Sequence, residues 1–341
     1  MYEAYQDHSI AVYGGYLKER RKLLESSSGG IATALAEHII GEGGYVAGVA
    51  YDASFRKAEY IVVDNVNDLS RLKGSKYIET DKCNVFTKVR DILNQGKRVL
   101  FFGLPCIVAA LYGTLRETST DNLITCELIC HGHTSQKVHQ EYIDHLEKKH
   151  RSKIVRFSVR YKKNGWTPSY VHAEFSNGKT FEKPFYDTEY GHAFSVYSNL
   201  PCYSCRFKGN DRQGDIMLGD FWGAKKEDPF WNDSGVSVVL VHSKKGLDFI
   251  NSTDGIALFE TSLERAISGN PNIIRQRKLP DSRERFDRLF QEKGLLYAAK
   301  HTKSRKKRIV KLAKRAMPKS LISLANSAYK KIKSLIKTTR N

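Results

Sequence analysis

Two strand-like apolar runs, RVLFF (98–102) and NLITCELI (122–129), are separated by about one helix, and each runs directly into a cysteine. The first enters the turn Gly103-Leu104-Pro105-Cys106, and the second meets Cys130-His131-Gly132. A strand, a helix through Leu115 and a second strand form a βαβ crossover, which makes the strands parallel. Both cysteines then fall at the carboxyl edge of the sheet. Open α/β sheets hold their ligand sites at that edge, because loops and helix N-termini converge there.

The surrounding sequence extends the pattern. Ser26–Gly30 (SSSGG) precedes the helix-compatible IATALAEHIIGEGG with a cap-like serine, and the strand YVAGVAYD follows. The helix CNVFTKVRDILNQG leads into RVLFF, and the polar helix SQKVHQEYIDHLEKKH follows Cys130-His131-Gly132. After His150 the character changes. IVRFSVRYK and SYVHAEFS read as antiparallel strands, with Asn177-Gly178 turning into KTFEKPF. A cysteine-rich loop (PCYSCRFKGNDRQGD), the strands IMLGDF and VSVVLVH, and helices from about Leu263 complete the body. The expected fold class is α/β (mixed α+β). Its expected regions are 1–150, an α/β region built on the parallel sheet; 151–299, antiparallel strands, the CxxC loop and helices; and 300–341, a basic helical tail.

Composition narrows the class. With 40% hydrophobic and 11% aromatic residues in 341, a folded core is expected. MYEAYQDHSI lacks a basic stretch leading into an apolar one, and no run of about 18 apolar residues occurs, so a cytoplasmic protein is expected. In reducing cytosol six cysteines point to metal binding or thiolate chemistry rather than disulfides. Of the net charge of +19, fifteen Lys and Arg lie between Lys300 and Asn341 with no Asp or Glu, leaving +4 for residues 1–299. KSRKKR (303–308) precedes Leu321, Ala325, Ala328, Ile332 and Leu335 at helical spacing, which fits peripheral contact with an anionic membrane. Nucleic acid is disfavoured because the body carries little excess charge and no recognisable motif.

Cys202-Tyr-Ser-Cys205 adds a CxxC pair to Cys106 and Cys130. Four thiolates on two strand ends and one loop suit a four-cysteine site, and both zinc and a cubane cluster accept four sulfurs. Cys83 opens a helix and Cys126 lies within an apolar strand, so both read as ordinary residues.

SSGG, KGSKYIETD, VLFFGLPCIVAAL, ELICHG, NGW, PCYSCRFKG and DIMLGDFWG occur in that order over roughly residues 20–250. In this the chain resembles the coenzyme F420 hydrogenase/dehydrogenase beta-subunit family. The resemblance implies FAD and a [4Fe-4S] cluster, with Cys106, Cys130, Cys202 and Cys205 as cluster ligands. Two departures stand out. Gly103-Leu104-Pro105-Cys106-Ile107 replaces the family's Gly-Thr-Pro-Cys-Gln, and no cysteine precedes Cys83, so the N-terminal ferredoxin module of many members has no counterpart in this sequence. Electrons are then expected from an external carrier, a ferredoxin or a reduced deazaflavin.

Within the same resemblance, Ser27, Ser28, Gly29 and Gly30 at a helix start suit a flavin phosphate or ring. Ser75, Lys76, Tyr77 and Thr80 bring hydroxyls, a cation and an aromatic face toward flavin or an anionic substrate. Lys76 is expected to favour reduced, anionic flavin, and His131 to donate to the cluster or move a proton. Without the resemblance these are a helix start, a surface lysine and a helix-capping histidine. Asp215, Asp220 and Arg212 could orient the second cysteine loop, contact cofactor, or serve only as turn and strand-end residues. The expected function is an iron–sulfur flavoprotein oxidoreductase acting on a small molecule, which by resemblance belongs to surface polysaccharide biosynthesis. A non-catalytic electron-transfer subunit and a zinc-stabilised binding protein are the alternatives.

Overall fold

A computed structural model describes residues 9–209 and 212–303. Two compact units divide the chain between Arg283 and Glu284. The first opens with strand β1 (Ala11–Leu17), helix α1 (Arg20–Glu25) and helix α2 (Ile31–Gly41). Strands β2 (Tyr45–Tyr51) and β3 (Ala58–Val63) and helices α3 (Leu69–Leu72) and α4 (Val85–Asn94) follow. The anticipated crossover comes next: β4 (Val99–Gly103), α5 (Pro105–Thr114) and β5 (Leu123–Leu128). Helix α6 (Gln136–His150) leads to strands β6 (Ile154–Tyr161), β7 (Tyr170–Phe175) and β8 (Thr180–Pro184), then α7 (Glu189–Val196). Last come β9 (Ile216–Asp220), β10 (Ser237–Val241), α8 (Lys244–Asn251), β11 (Ile256–Glu260) and α9 (Leu263–Gly269).

Eight strands form one sheet in the order β11-β1-β10-β9-β5-β4-β2-β3. Its centre, β2-β4-β5-β9, is parallel. On β4, Val99 and Phe101 enter one core cluster with α4 and α5, while Leu100 enters another with α2 and α8. Both faces are covered, so these strands read as continuous apolar runs rather than alternating ones. β6, β7 and β8 make a separate antiparallel sheet. The change of character after His150 therefore marks entry into a second sheet, and β9, β10 and β11 return to the first.

Pairing fixes which loops share an edge. Gly103 pairs with Glu127 in the parallel ladder, so Cys106 and Cys130, each three residues further on, leave the sheet together. β1 is antiparallel to β10, and β10 is antiparallel to β9, so β1 runs with β9 and delivers the Ser26–Gly30 loop to that same edge.

Of the second unit, residues 284–303 are described; they carry all but the first residue of α10 (Arg283–Thr302), which is broken at Gly294, where φ is 75°. No helix among the described residues is long and apolar enough to cross a membrane. The expected basic tail lies outside the described residues beyond Lys303.

Candidate functional site

A cavity of about 410 Å³ opens at the carboxyl edge of the parallel strands. Its size lies within the range of about 300–1,000 Å³ typical of cofactor and substrate sites. Segments far apart in sequence share its wall. Ser27, Ser28 and Gly30 come from the loop before α2, and Ser75, Lys76, Tyr77 and Thr80 from the loop after α3. Cys106 comes from the turn after β4, and Cys130 and His131 from the loop after β5. Arg160, Asp220 and Trp222 also line it.

At the serine end the first two loops are joined directly. Ser27 Oγ accepts from the Ser75 N–H at 3.0 Å and lies 3.1 Å from the Ser75 hydroxyl, while Lys73 pairs with Glu25 at 2.7 Å. The expected serine cap is not made. Ser28 Oγ donates instead to Val236 O at 2.9 Å, and α2 is entered through Gly30 at φ 78°, a left-handed conformation that disfavours side chains. Ile31 and Ala32, whose N–H groups have no acceptor inside the helix, line the cavity. Gly29 does not line it. A Cβ there would stand 2.4 Å from Ser237 N and 2.5 Å from Gly15 O, so glycine lets the loop press onto β1 and β10.

Three cations at this end already have acceptors. Lys76 Nζ donates to the carbonyls of Arg71, Leu72 and Lys73 at 3.2, 3.0 and 2.9 Å, closing the C-terminus of α3. Burial lowers its pKa to about 7. Lys162 Nζ donates to Leu23 O at 2.7 Å and Ser28 O at 2.6 Å, and burial, then Arg160, lowers it to about 7. Arg160, 8% exposed, donates to Ser27 O at 2.8 Å and Asp220 Oδ1 at 2.5 Å. Burial opposes its charge, but Tyr77 and Asp220 outweigh that and hold the guanidinium protonated. Its Nε is buried without a partner. The guanidinium lies 5.4 Å over the Trp222 ring, and Trp222 stacks on Trp166, whose Nε1 donates to Asp220 at 2.8 Å.

At the cysteine end, Cys106 is the second residue of α5, and Cys202 and Cys205 lie on and just after a 3-10 turn, Leu200–Ser204. The four thiols are close enough to act on one another electrostatically. Burial, then the charges of Cys130, Cys205 and Cys202, pushes Cys106 up to about 11. Burial also raises Cys130 and Cys202. Backbone N–H groups oppose it, Gly132 donating to Cys130 Sγ at 3.2 Å and His133 to Cys202. Lys208 and Arg277 act on these thiols as cations, and Lys208 also donates to Cys130 O. Cys202 and Cys205 are not on the cavity wall. Among the described residues no three His, Cys, Asp or Glu side chains stand grouped as ligands of one metal ion. Cys126 is fully buried in β5 and Cys83 is exposed.

His131 lines the cavity beside Cys130, and burial, then Lys208 and Arg277, lowers its pKa to about 4, so it is neutral at pH 7. It does not cap α6, because Ser135 accepts from Val138 N. Of the three polar residues near the second cysteine pair, Asp220 alone reaches the cavity. Asp215 accepts from Thr125 N, Thr125 Oγ1 and Ser243 Oγ at 2.8, 2.9 and 2.6 Å, tying β9 to β5. Arg212 is buried 3.6 Å from Glu127 and donates to Phe207 O and Ile273 O, anchoring the chain after the cysteine turn.

Arg160, on β6, and Lys162, one residue past its end, escaped the sequence reading. A register shift between Ser158 and Tyr161 buries Val159 and Arg160 in succession and hides the alternation.

Residues 96–263 match the family model for the coenzyme F420 hydrogenase/dehydrogenase beta subunit, C terminus. Over that segment, just under half of the chain, the sequence is similar to this family. Among solved structures it resembles a chain in the xenon-derivatized F420-reducing [NiFe] hydrogenase complex from Methanosarcina barkeri. The TM-score is 0.54 at 18% identity, covering 80% of this chain and 93% of that one, and the likeness is one of fold. No curated protein matches in sequence.

Proposed function

We propose that the chain is an iron–sulfur flavoprotein oxidoreductase. It would pass electrons between an external carrier, of ferredoxin or deazaflavin type, and a small-molecule substrate. The observation that carries the reading is a single cavity walled by the Ser27–Gly30 loop, the Ser75–Thr80 loop, Cys106 and Cys130. A flavin there would pair two-electron chemistry with one-electron steps at a cluster.

The residues fit both groups. Cys106, Cys130, Cys202 and Cys205 would supply four thiolate donors; backbone N–H groups reach Cys130 and Cys202, and Lys208 and Arg277 act on these thiols as cations that favour thiolate. The start of α2 offers backbone N–H groups to a phosphate, and Ser27, Ser75, Tyr77 and Thr80 offer polar groups along the wall. Neutral His131 can hold or pass a proton beside Cys130 without adding charge. A role in surface polysaccharide biosynthesis and contact with a membrane through the tail remain parts of the proposal that rest on sequence.

Protein purified without oxygen should be brown and contain about four iron, four sulfide and one flavin per chain. Stoichiometric zinc in colourless protein would replace this reading with the zinc-stabilised one. Bound cofactors without turnover of any small molecule would leave an electron-transfer subunit.

A further inference from the structure

The proposed centre has two sides. Cys106 and Cys130 face the cavity, whereas Cys202 and Cys205 belong to a turn whose other residues reach solvent. Leu200 is 60% exposed, and Pro201, Ser204 and Arg206 are exposed between and beside the half-buried cysteines. One turn of chain thus separates the thiols from the surface.

A second segment is fastened over this turn. Gln276 Nε2 donates to Cys205 O at 3.1 Å, and Arg277 donates to Ser198 Oγ at 2.6 Å and His131 O at 3.3 Å. On either side of these anchors Arg275, Lys278 and Leu279 are exposed, Leu279 to 54%. Residues 200–209 and 271–280 together contain Arg206, Lys208, Arg275, Arg277 and Lys278 and no Asp or Glu. Glu79 is the carboxylate that a hydrogen bond brings to this turn, and Asn199 engages it at 3.4 Å.

Resting on the function proposed above, we infer that this face is the docking surface for a small acidic electron-carrier protein. Exposed Leu200 and Leu279 on segments that also expose Arg206, Arg275 and Lys278, with Asp281 at their edge, match the usual composition of a transient interface, apolar residues among polar ones. The cations would steer an acidic partner so that its redox centre approaches the Cys202–Cys205 turn, opposite the cavity. Cys202 and Cys205 would hold the outer side of the centre, which would take up the one electron the reduced carrier gives, with no bond formed or broken. Substrate in the cavity and carrier on the turn would then bind without competing.

The test uses the full-length protein, an acidic two-iron ferredoxin as probe and reduced methyl viologen as a small, cationic control donor. Arg206→Glu combined with Lys278→Glu should lower the second-order rate of reduction by ferredoxin about tenfold or more at low ionic strength. Reduction by viologen should be unchanged. Calorimetry with oxidised ferredoxin should show binding to wild type that weakens with salt and is lost in the variant. Equal rates and equal ferredoxin binding in both proteins would overturn the inference. So would equal slowing with both donors, which would mean that the substitutions disturb the centre itself. A wild type that viologen does not reduce would remove the underlying oxidoreductase reading, an outcome the control separates from the others.

Discussion

The two ends of the cavity are built from loops at one edge of one sheet, yet they differ in what they leave for a ligand. At the cysteine end the thiols are raised by burial while backbone N–H groups, Lys208 and Arg277 stand against them, an arrangement that favours the thiolate once a metal centre binds. At the serine end Arg160, Lys162 and Lys76 already donate to backbone carbonyls or Asp220. Both ends thus spend their side-chain cations on fixing loops, but the cysteine end adds four thiols that could hold a metal centre, whereas the serine end leaves backbone N–H groups and hydroxyls to a ligand. Substitutions at the first should remove the bound group, and those at the second should mainly loosen its container.

The largest contrast is among the cysteines. Cys106→Ser, Cys130→Ser, Cys202→Ser or Cys205→Ser should each lose most iron, because each removes one of four proposed ligands. Cys83→Ser and Cys126→Ser should keep it. Iron and sulfide analysis after anaerobic purification decides, and equal loss in all six would break the distinction between ligand and bystander.

Next comes Arg160→Met. Removing one partner of a buried pair leaves Asp220 uncompensated and should cost about 3–5 kcal/mol. It also frees Ser27 O and Tyr77, so flavin affinity should fall while iron is retained. Denaturant melts and flavin titration report the two effects, and an iron loss as large as the flavin loss would show that the ends are not independent.

A smaller effect follows from pH. Burial lowers His139 to about 4 in the folded protein, whereas an unfolded histidine titrates near 6.5. Between those values the unfolded chain binds more protons, so stability is complete above about pH 6.5 and falls as pH drops toward 4. His139 should contribute roughly 1–3 kcal/mol to the fall. His139→Gln, whose amide can still reach Phe55 O, should flatten the pH profile of denaturant stability between 6.5 and 4, and an unchanged slope would refute the assignment.

Lys76→Met should be the mildest. Losing the cap on α3 should cost up to about 1 kcal/mol. Iron and most flavin should remain, with the flavin midpoint potential lowered mainly below about pH 7, where Lys76 carries its charge. Potentiometric titration checks this, and an unchanged potential would assign Lys76 to the helix end alone.

The apolar runs 98–102 and 122–129, with one helix between them, were enough to specify β4, α5, β5 and the shared exit of Cys106 and Cys130, because a buried parallel crossover leaves few alternatives. The Asn177-Gly178 turn likewise marked the hairpin between β7 and β8. β1 was not legible, since AVYGGYL carries two glycines that weaken the strand pattern, and its partners β10 and β11 lie more than 200 residues away. That long-range pairing alone brings the Ser26–Gly30 loop to the edge where Cys106 and Cys130 emerge. In the same way Lys76, a cation in the sequence, became a helix cap because the carbonyls of Arg71, Leu72 and Lys73 lie within its reach. Local pattern determined the residue types and short spacings, because propensity and turn chemistry act over a few residues. Tertiary structure decided which charges were already satisfied, because only packing determines the acceptor that a buried donor meets.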